Sequence, residues 1–184
     1  MMLVDAVHLD RVGRDIAAHF EPLVKRKLPE ADLATLLECL SLDAGILPGE
    51  NEMQVIFVYE LGHEQMKFCS PAHLEREIHG MAFRGITGEF SLYAFQPSGM
   101  ATREALFAEA LQLAGEDKNV KRILFAPDEA ADVTALEKVI REIKGKDALT
   151  MFGMNPPEQA YPCRFEWLGF AVLQALGIRS EELE

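Results

Sequence analysis

Apolar and polar positions alternate along this chain with two periods, and the switches between them divide it into strands and helices. Residues 53–59, Met-Gln-Val-Ile-Phe-Val-Tyr, are β-branched and aromatic with almost no polar interruption, the composition of an interior strand covered on both faces. Residues 2–6 and 121–127 are also short apolar runs, and each has an acid at its carboxyl end, Asp5 and Asp128. Residues 89–95 alternate polar and apolar, the pattern of a strand with one solvated face, which predicts a position at the edge of a sheet. Residues 148–153 complete a set of five predicted strands.

Between these runs the period lengthens to that of a helix. Leu9, Val12, Ile16, Ala17, Phe20 and Val24 predict an amphipathic helix from His8 to about residue 27, with Asp5 or a near neighbour as its cap. Leu33, Leu36, Leu37, Leu40 and Leu42 predict a second, opened by residues 29–32 and ended by Gly45. Ser70 as N-cap and Pro71 at the first helical position predict a third, running to about Phe83. Leu106, Phe107, Ala110, Leu111 and Leu113 define a helix over 102–114, and Val133, Leu136, Val139, Ile140 and Ile143 another over 132–144.

Strands alternating with helices predict an α/β fold of three layers, a mostly parallel five-stranded sheet with helices on both faces. Right-handed crossovers leave few arrangements, and the commonest has the strands in the order 3-2-1-4-5. The first and fourth strands are then neighbours at the reversal point, so Asp5 and Asp128 face one crevice within several ångströms of each other. Residues 1–154 form this domain. Residues 155–184 form a C-terminal helical extension in which Trp167, Phe170, Leu173 and Leu176 make an apolar stripe, to be covered by the domain or by a second copy in a homodimer.

Composition narrows the function classes. At 184 residues and 49% hydrophobic the chain suits one substantial core. Its 30 acidic residues against 18 basic ones give a formal charge of -12, which disfavours RNA and other polyanions as non-specific partners. No stretch approaches the ~18 apolar residues of a membrane span, and the amino terminus has no basic head before a long apolar segment, so a cytoplasmic protein without a membrane partner is expected. Cys39, Cys69 and Cys163 have no CxxC spacing and the five histidines no ligand spacing. A GxxxxGK[ST] loop, a GxSxG elbow and a glycine-rich turn after the first strand are all missing, which argues against P-loop, α/β-hydrolase and dinucleotide-binding chemistry.

Several segments, in order, carry a resemblance. Asp5 and His8 follow the first strand; Glu109 lies on the 102–114 helix; Ala126-Pro127-Asp128 ends the fourth strand; a helix, Gly145-Lys146 and an apolar strand ending at Gly153 come next. Residues 2–154 so arranged are similar to a diverged NYN domain of the PIN-like nuclease superfamily. The resemblance implies a PIN-like sheet and acids that hold magnesium or manganese while a water attacks an RNA phosphodiester, chemistry in which a metal balances two anions. By position, Asp5 and Asp128 match the metal-binding acids and Glu109 replaces an aspartate. His8 stands where Asn is usual, Ala130 where a second Asp is expected, and Arg103 near where an acid opens the preceding helix; Glu129, Asp132 or Glu104 would substitute only with a shift of register.

The resemblance therefore implies a catalytically degenerate domain acting through binding, its pocket lined by His8, Arg103, Glu129 and Asp132 and needing no cofactor. The alternative is a weak magnesium- or manganese-dependent ribonuclease with Asp5, Asp128 and Glu109 as its catalytic acids. Helix capping accounts for Asp5 and Asp128 equally well. Residues 152–158 and 176–183 also resemble a bacterial family of similar length and undescribed function.

Overall fold

The computed structural model describes residues 1–132 and 134–183; Val133, expected in a helix, and Glu184, expected in the extension, lie outside the described residues. The strands are β1 (Met2–Asp5), β2 (Ala31–Asp32), β3 (Asn51–Val58), β4 (Cys69–Ser70), β5 (Ala82–Arg84), β6 (Gly88–Phe95), β7 (Arg122–Ala126), β8 (Ala148–Gly153) and β9 (Arg164–Trp167). The helices are α1 (Ala6–Val24), α2 (Leu33–Asp43), α3 (Arg103–Glu116), α4 (Thr134–Glu142) and α5 (Leu168–Ala175).

One sheet of seven strands, in the order β5-β6-β3-β1-β7-β8-β9, organises the molecule, and β2 pairs separately with β4. The five expected strands are β6, β3, β1, β7 and β8, side by side in that order and parallel to one another. The sheet has seven strands rather than five because β5 adds to β6 antiparallel and β9 adds to β8 parallel.

Side chains alternate across the sheet, so each strand feeds two cores. On one face Met2, Val4, Val55, Phe57, Phe90, Leu92, Leu124 and Phe152 pack with α1, α2 and α5. On the other, Leu3, Ile123, Phe125 and Met151 pack with Phe107, Leu111, Leu136 and Ile140 of α3 and α4. This second layer is narrower than the first. Glu52 and Gln54 of β3 and Glu89 and Phe95 of β6 are exposed there, while Ser91 and Tyr93 are half-buried.

That asymmetry corrects the expectation that residues 89–95 form an edge strand. β6 lies inside β5, and its alternation records a face without a covering helix rather than a missing neighbour. The predicted helix over residues 70–83 is also corrected. Ser70 ends β4, and the Glu77 carboxylate accepts the N–H groups of Ala72 and His73 at 3.0 and 2.7 Å. The result is one helical turn, Leu74–Ile78, before β5. Leu113, expected in the core, is exposed.

The C-terminal segment is woven into the same unit. β9 extends the sheet, and Leu168, Ala171, Val172 and Ala175 of α5 join the first core. Of the expected apolar stripe, Leu176 is buried and Leu173 partly so, whereas Trp167 and Phe170 are 44% and 61% exposed.

Gly13 in α1 is a point where packing overrides helix propensity. A Cβ there would lie 2.2 Å from the ring of the buried Phe68. Alanine favours a helix interior by about 1 kcal/mol over glycine, yet displacing this ring costs about 1–3 kcal/mol. Gly13→Ala is therefore expected to lower the urea midpoint rather than raise it.

Candidate functional site

Four adjacent strands end at the same crevice, and the chain places a charged residue at or within two residues of three of these ends and at the start of the helix that follows the fourth. Asp5 closes β1, Glu60 follows β3 by two residues, Arg103 starts α3 after β6, and Asp128 follows β7 by two residues. Asp5, Arg103 and Asp128 are 1%, 6% and 9% exposed, a degree of burial charged groups reach only when paired.

The Arg103 guanidinium joins them. Its Nε lies 2.8 Å from Asp5 Oδ2, one terminal nitrogen 2.7 Å from Asp128 Oδ2 and the other 2.7 Å from Glu60 Oε1. Its contacts with Asp128 and Glu60 are hydrogen bonds, whereas the Nε is close to Asp5 without the alignment of one. Glu104, half-buried beside it, is 3.7 Å away.

The other oxygens of Asp5 and Asp128 are engaged as well. Asp5 Oδ1 caps α1 by accepting the His8 N–H at 2.9 Å. Asp128 Oδ1 accepts the Ala130 N–H at 3.0 Å and a terminal nitrogen of Arg11 at 2.6 Å. The same Arg11 nitrogen lies 2.9 Å from His8 Nδ1. Nδ1 also lies 3.3 Å from Asp128 Oδ1, and Nε2 lies 3.4 Å from Glu129 Oε2. Glu129 in turn accepts the N–H groups of Met154 and Asn155, both at 2.8 Å, and fastens the end of β8. Gly153 permits this approach, since a Cβ there would sit 2.8 Å from Glu129 Oε1.

Burial pushes the Asp5 carboxyl up, against the His8 N–H and the Arg103 guanidinium, and its pKa lies above the ordinary aspartate value. For Asp128 burial acts in the same direction but is outweighed by the Ala130 N–H and by Arg11, leaving its pKa below the ordinary value. Glu129 is likewise lowered, burial being outweighed by His8 and by the Met154 and Asn155 N–H groups.

The crevice thus unites Asp5, His8, Arg103, Asp128 and Glu129. It does not include Glu109, which is exposed on α3 and outside these ion pairs, or Asp132, which is exposed and accepts from Thr134 N–H and hydroxyl at 3.0 and 2.7 Å. Asp128 and Asp132 do share a groove of about 340 Å³ between α3 and α4 with Thr102, Glu104 and Phe107. Glu60 and Arg11 are members that sequence reasoning missed. The rule that singled out Asp5, an acid at the carboxyl end of an apolar strand, also applies to Glu60; Arg11 stands three residues after His8 on α1.

These residues do not fit a metal ion as the resemblance implied. Among the described residues no three His, Cys, Asp or Glu side chains converge as a ligand set, and the oxygens of Asp5 and Asp128 that face each other are bridged by Arg103. Among the described residues, no helix is long and apolar enough to cross a membrane.

Fold and site together define an α/β protein with a mostly parallel sheet whose strand ends converge on a buried arginine and carboxylate cluster. The chain belongs to the Family of unknown function (DUF6621), whose model matches residues 1–183; that description assigns no nuclease activity. No curated protein and no solved structure matches it.

Removing one member of a buried ion pair strands the others, at about 3–5 kcal/mol. Arg103→Met is expected to lose that much in urea unfolding, and Arg103→Lys to recover only part, because a lysine ammonium lacks the fork that spans several carboxylates.

The site also sets an acid dependence. Asp128 and Glu129 are held below unfolded values of about 3.9 and 4.3. Their contribution to stability is complete above those values and is lost as pH falls through the folded ones. Asp5, held above its unfolded value, works in the opposite sense: its contribution is complete below about pH 3.9 and declines as pH rises through its folded pKa. Thermal melts should therefore give an Asp128→Asn variant less stable than wild type at neutral pH, with the gap closing below about pH 4.

Proposed function

We propose that this chain is a catalytically degenerate PIN/NYN-like protein that acts by binding through the crevice at the carboxyl ends of its strands. The observation supporting the reading is the position of Arg103. Its guanidinium lies between Asp5, Asp128 and Glu60, where carboxylates of a two-anion hydrolytic site would instead share a divalent cation. A cation fixed to the backbone neutralises the acids but cannot generate a hydroxide or polarise a phosphoryl oxygen as a metal does.

The groups left to meet a ligand at the rim favour a partner other than RNA. Arg11 and Glu60, 43% and 41% exposed in their side chains, are paired with Asp128 and Arg103, whereas Glu104, 41% exposed and 3.7 Å from Arg103, and the exposed Asp132 add negative charge that no further cation of the cluster offsets. Such a rim attracts a cationic group, for example a lysine or arginine on a protein segment, and repels phosphates.

Metal addition tests the reading. A ligand present at 100 times its Kd stabilises the folded state by about 2.7 kcal/mol, so tight binding of manganese would be obvious in a thermal melt. The expected result is no stabilisation of wild type by millimolar magnesium or manganese and no cleavage of single-stranded RNA. Metal-dependent cleavage that Asp128→Asn abolishes would replace this reading with the ribonuclease one.

A further inference from the structure

The sheet ends in β5 on one side and β9 on the other, and the two edges differ in chemistry. β5 offers Ala82, Phe83 and Arg84, with Arg84 bound to Glu50 at 2.7 Å. β9 offers Arg164, Phe165, Glu166 and Trp167 and, among the described residues, is paired only with β8. Its outer backbone groups are free to accept another strand.

The side chains of β9 are arranged by face. Arg164 and Glu166 share one face and pair with each other; both act on the Asp43 carboxyl at the end of α2, which burial and Glu166 push up and Arg164 opposes. Phe165 and Trp167 share the other face, stacked edge to face at 5.5 Å and 82°. Opposite charges thus flank Phe165 at equal spacing.

Equal spacing of opposite charges has a consequence for self-pairing. In an antiparallel pair of identical strands with Phe165 on the two-fold axis, Arg164 of each copy lies directly across from Glu166 of the other, on the same face. Centring the axis on Arg164 or on Glu166 instead would place like charges opposite each other, which is destabilising. Of these three registers only the one centred on Phe165 sets opposite charges against each other. Cys163 of each copy then faces Trp167 of the other.

We propose that β9 is a homodimerisation edge, joining the seven-stranded sheets of two copies antiparallel about Phe165. The strand alone is four residues long, too short to hold a dimer by backbone bonds. Apolar area beside it supplies the rest: Trp167 ends the strand and Phe170 lies in the first turn of α5, both substantially exposed in one copy. Aromatic anchors next to a short polar strand are the composition of an interface core and rim. The intrachain ion pair is no obstacle, because each side chain finds the same partner type across the axis.

Charge exchange tests the register. Arg164→Glu places acids opposite acids at both symmetry-related positions, and Glu166→Arg places arginines opposite arginines. With each cross-strand pair contributing roughly 0.2–1 kcal/mol and like charges opposing by similar amounts, either variant should weaken the dimer about tenfold, or 1.4 kcal/mol, in sedimentation over a dilution series. An equimolar mixture of the two variants restores both pairs and should dimerise like wild type, as should the double exchange R164E/E166R. An intrachain role for the pair would give no recovery on mixing. Both positions lie at a half-exposed edge, and unchanged melting temperatures would establish that each variant folds. A wild type that is monomeric at every concentration, or single variants that dimerise undiminished, would overturn the proposal. None of these residues belongs to the Arg103 cluster, so either outcome leaves the crevice reading as it stands.

Discussion

One guanidinium, buried at the meeting point of four strand ends, sets the terms for the rest of this structure. Arg103 opens α3, where the helix dipole favours anions over cations, so its position contradicts the local rule for helix ends. Its three direct carboxylate partners come from β1 and from the segments after β3 and β7, and together they offset both the dipole and the loss of water. A lysine would supply the charge but not the planar fork that reaches separate carboxylates at fixed angles. Departures from local preference concentrate at functional positions, and here the departure and the centre of the candidate site are the same residue.

The cluster also ties layers together that apolar packing leaves separate. Arg11 and His8 come from α1 on one face of the sheet, Arg103 from α3 on the other, and Asp128 contacts all three. Glu129 extends the network to the end of β8. The electrostatics of the crevice and the docking of two helices are therefore a single problem, and a change that frees the carboxylates for another ligand also loosens the fold.

Much of the fold was legible because apolar runs and helical spacing report burial directly. The strand at residues 53–59, the pairing of β1 with β7 at the reversal point and the capping role of Asp5 all followed from it. Errors arose where exposure had a second cause. The alternation of residues 89–95 correctly predicted a solvated face, but periodicity measures what covers a strand above and below, not what lies beside it. β5 has three residues and β9 four, too few to declare a period, and the apolar content of β9 merged with that of α5. In the crevice, acids at strand ends were found by position. Arg103 was placed in the pocket as a cation where an acid was expected, but its direct pairing with Asp5 and Asp128 could not be read, because long stretches of chain separate it from both.

The placement of β1 at the middle of the sheet has a consequence for how the molecule is made. β1 precedes both of its neighbours in the chain, pairing with β3 on one side and with β7, which ends at residue 126, on the other. Until β7 pairs, the apolar edge of β1 is open, and Arg103 has Asp5 and Glu60 to hand but not Asp128. Non-local closure of this kind is slow, and an exposed parallel edge is where nascent chains associate wrongly. Asp128 follows by two residues the strand that seals that edge, so completion of the ion cluster coincides with closure of the edge.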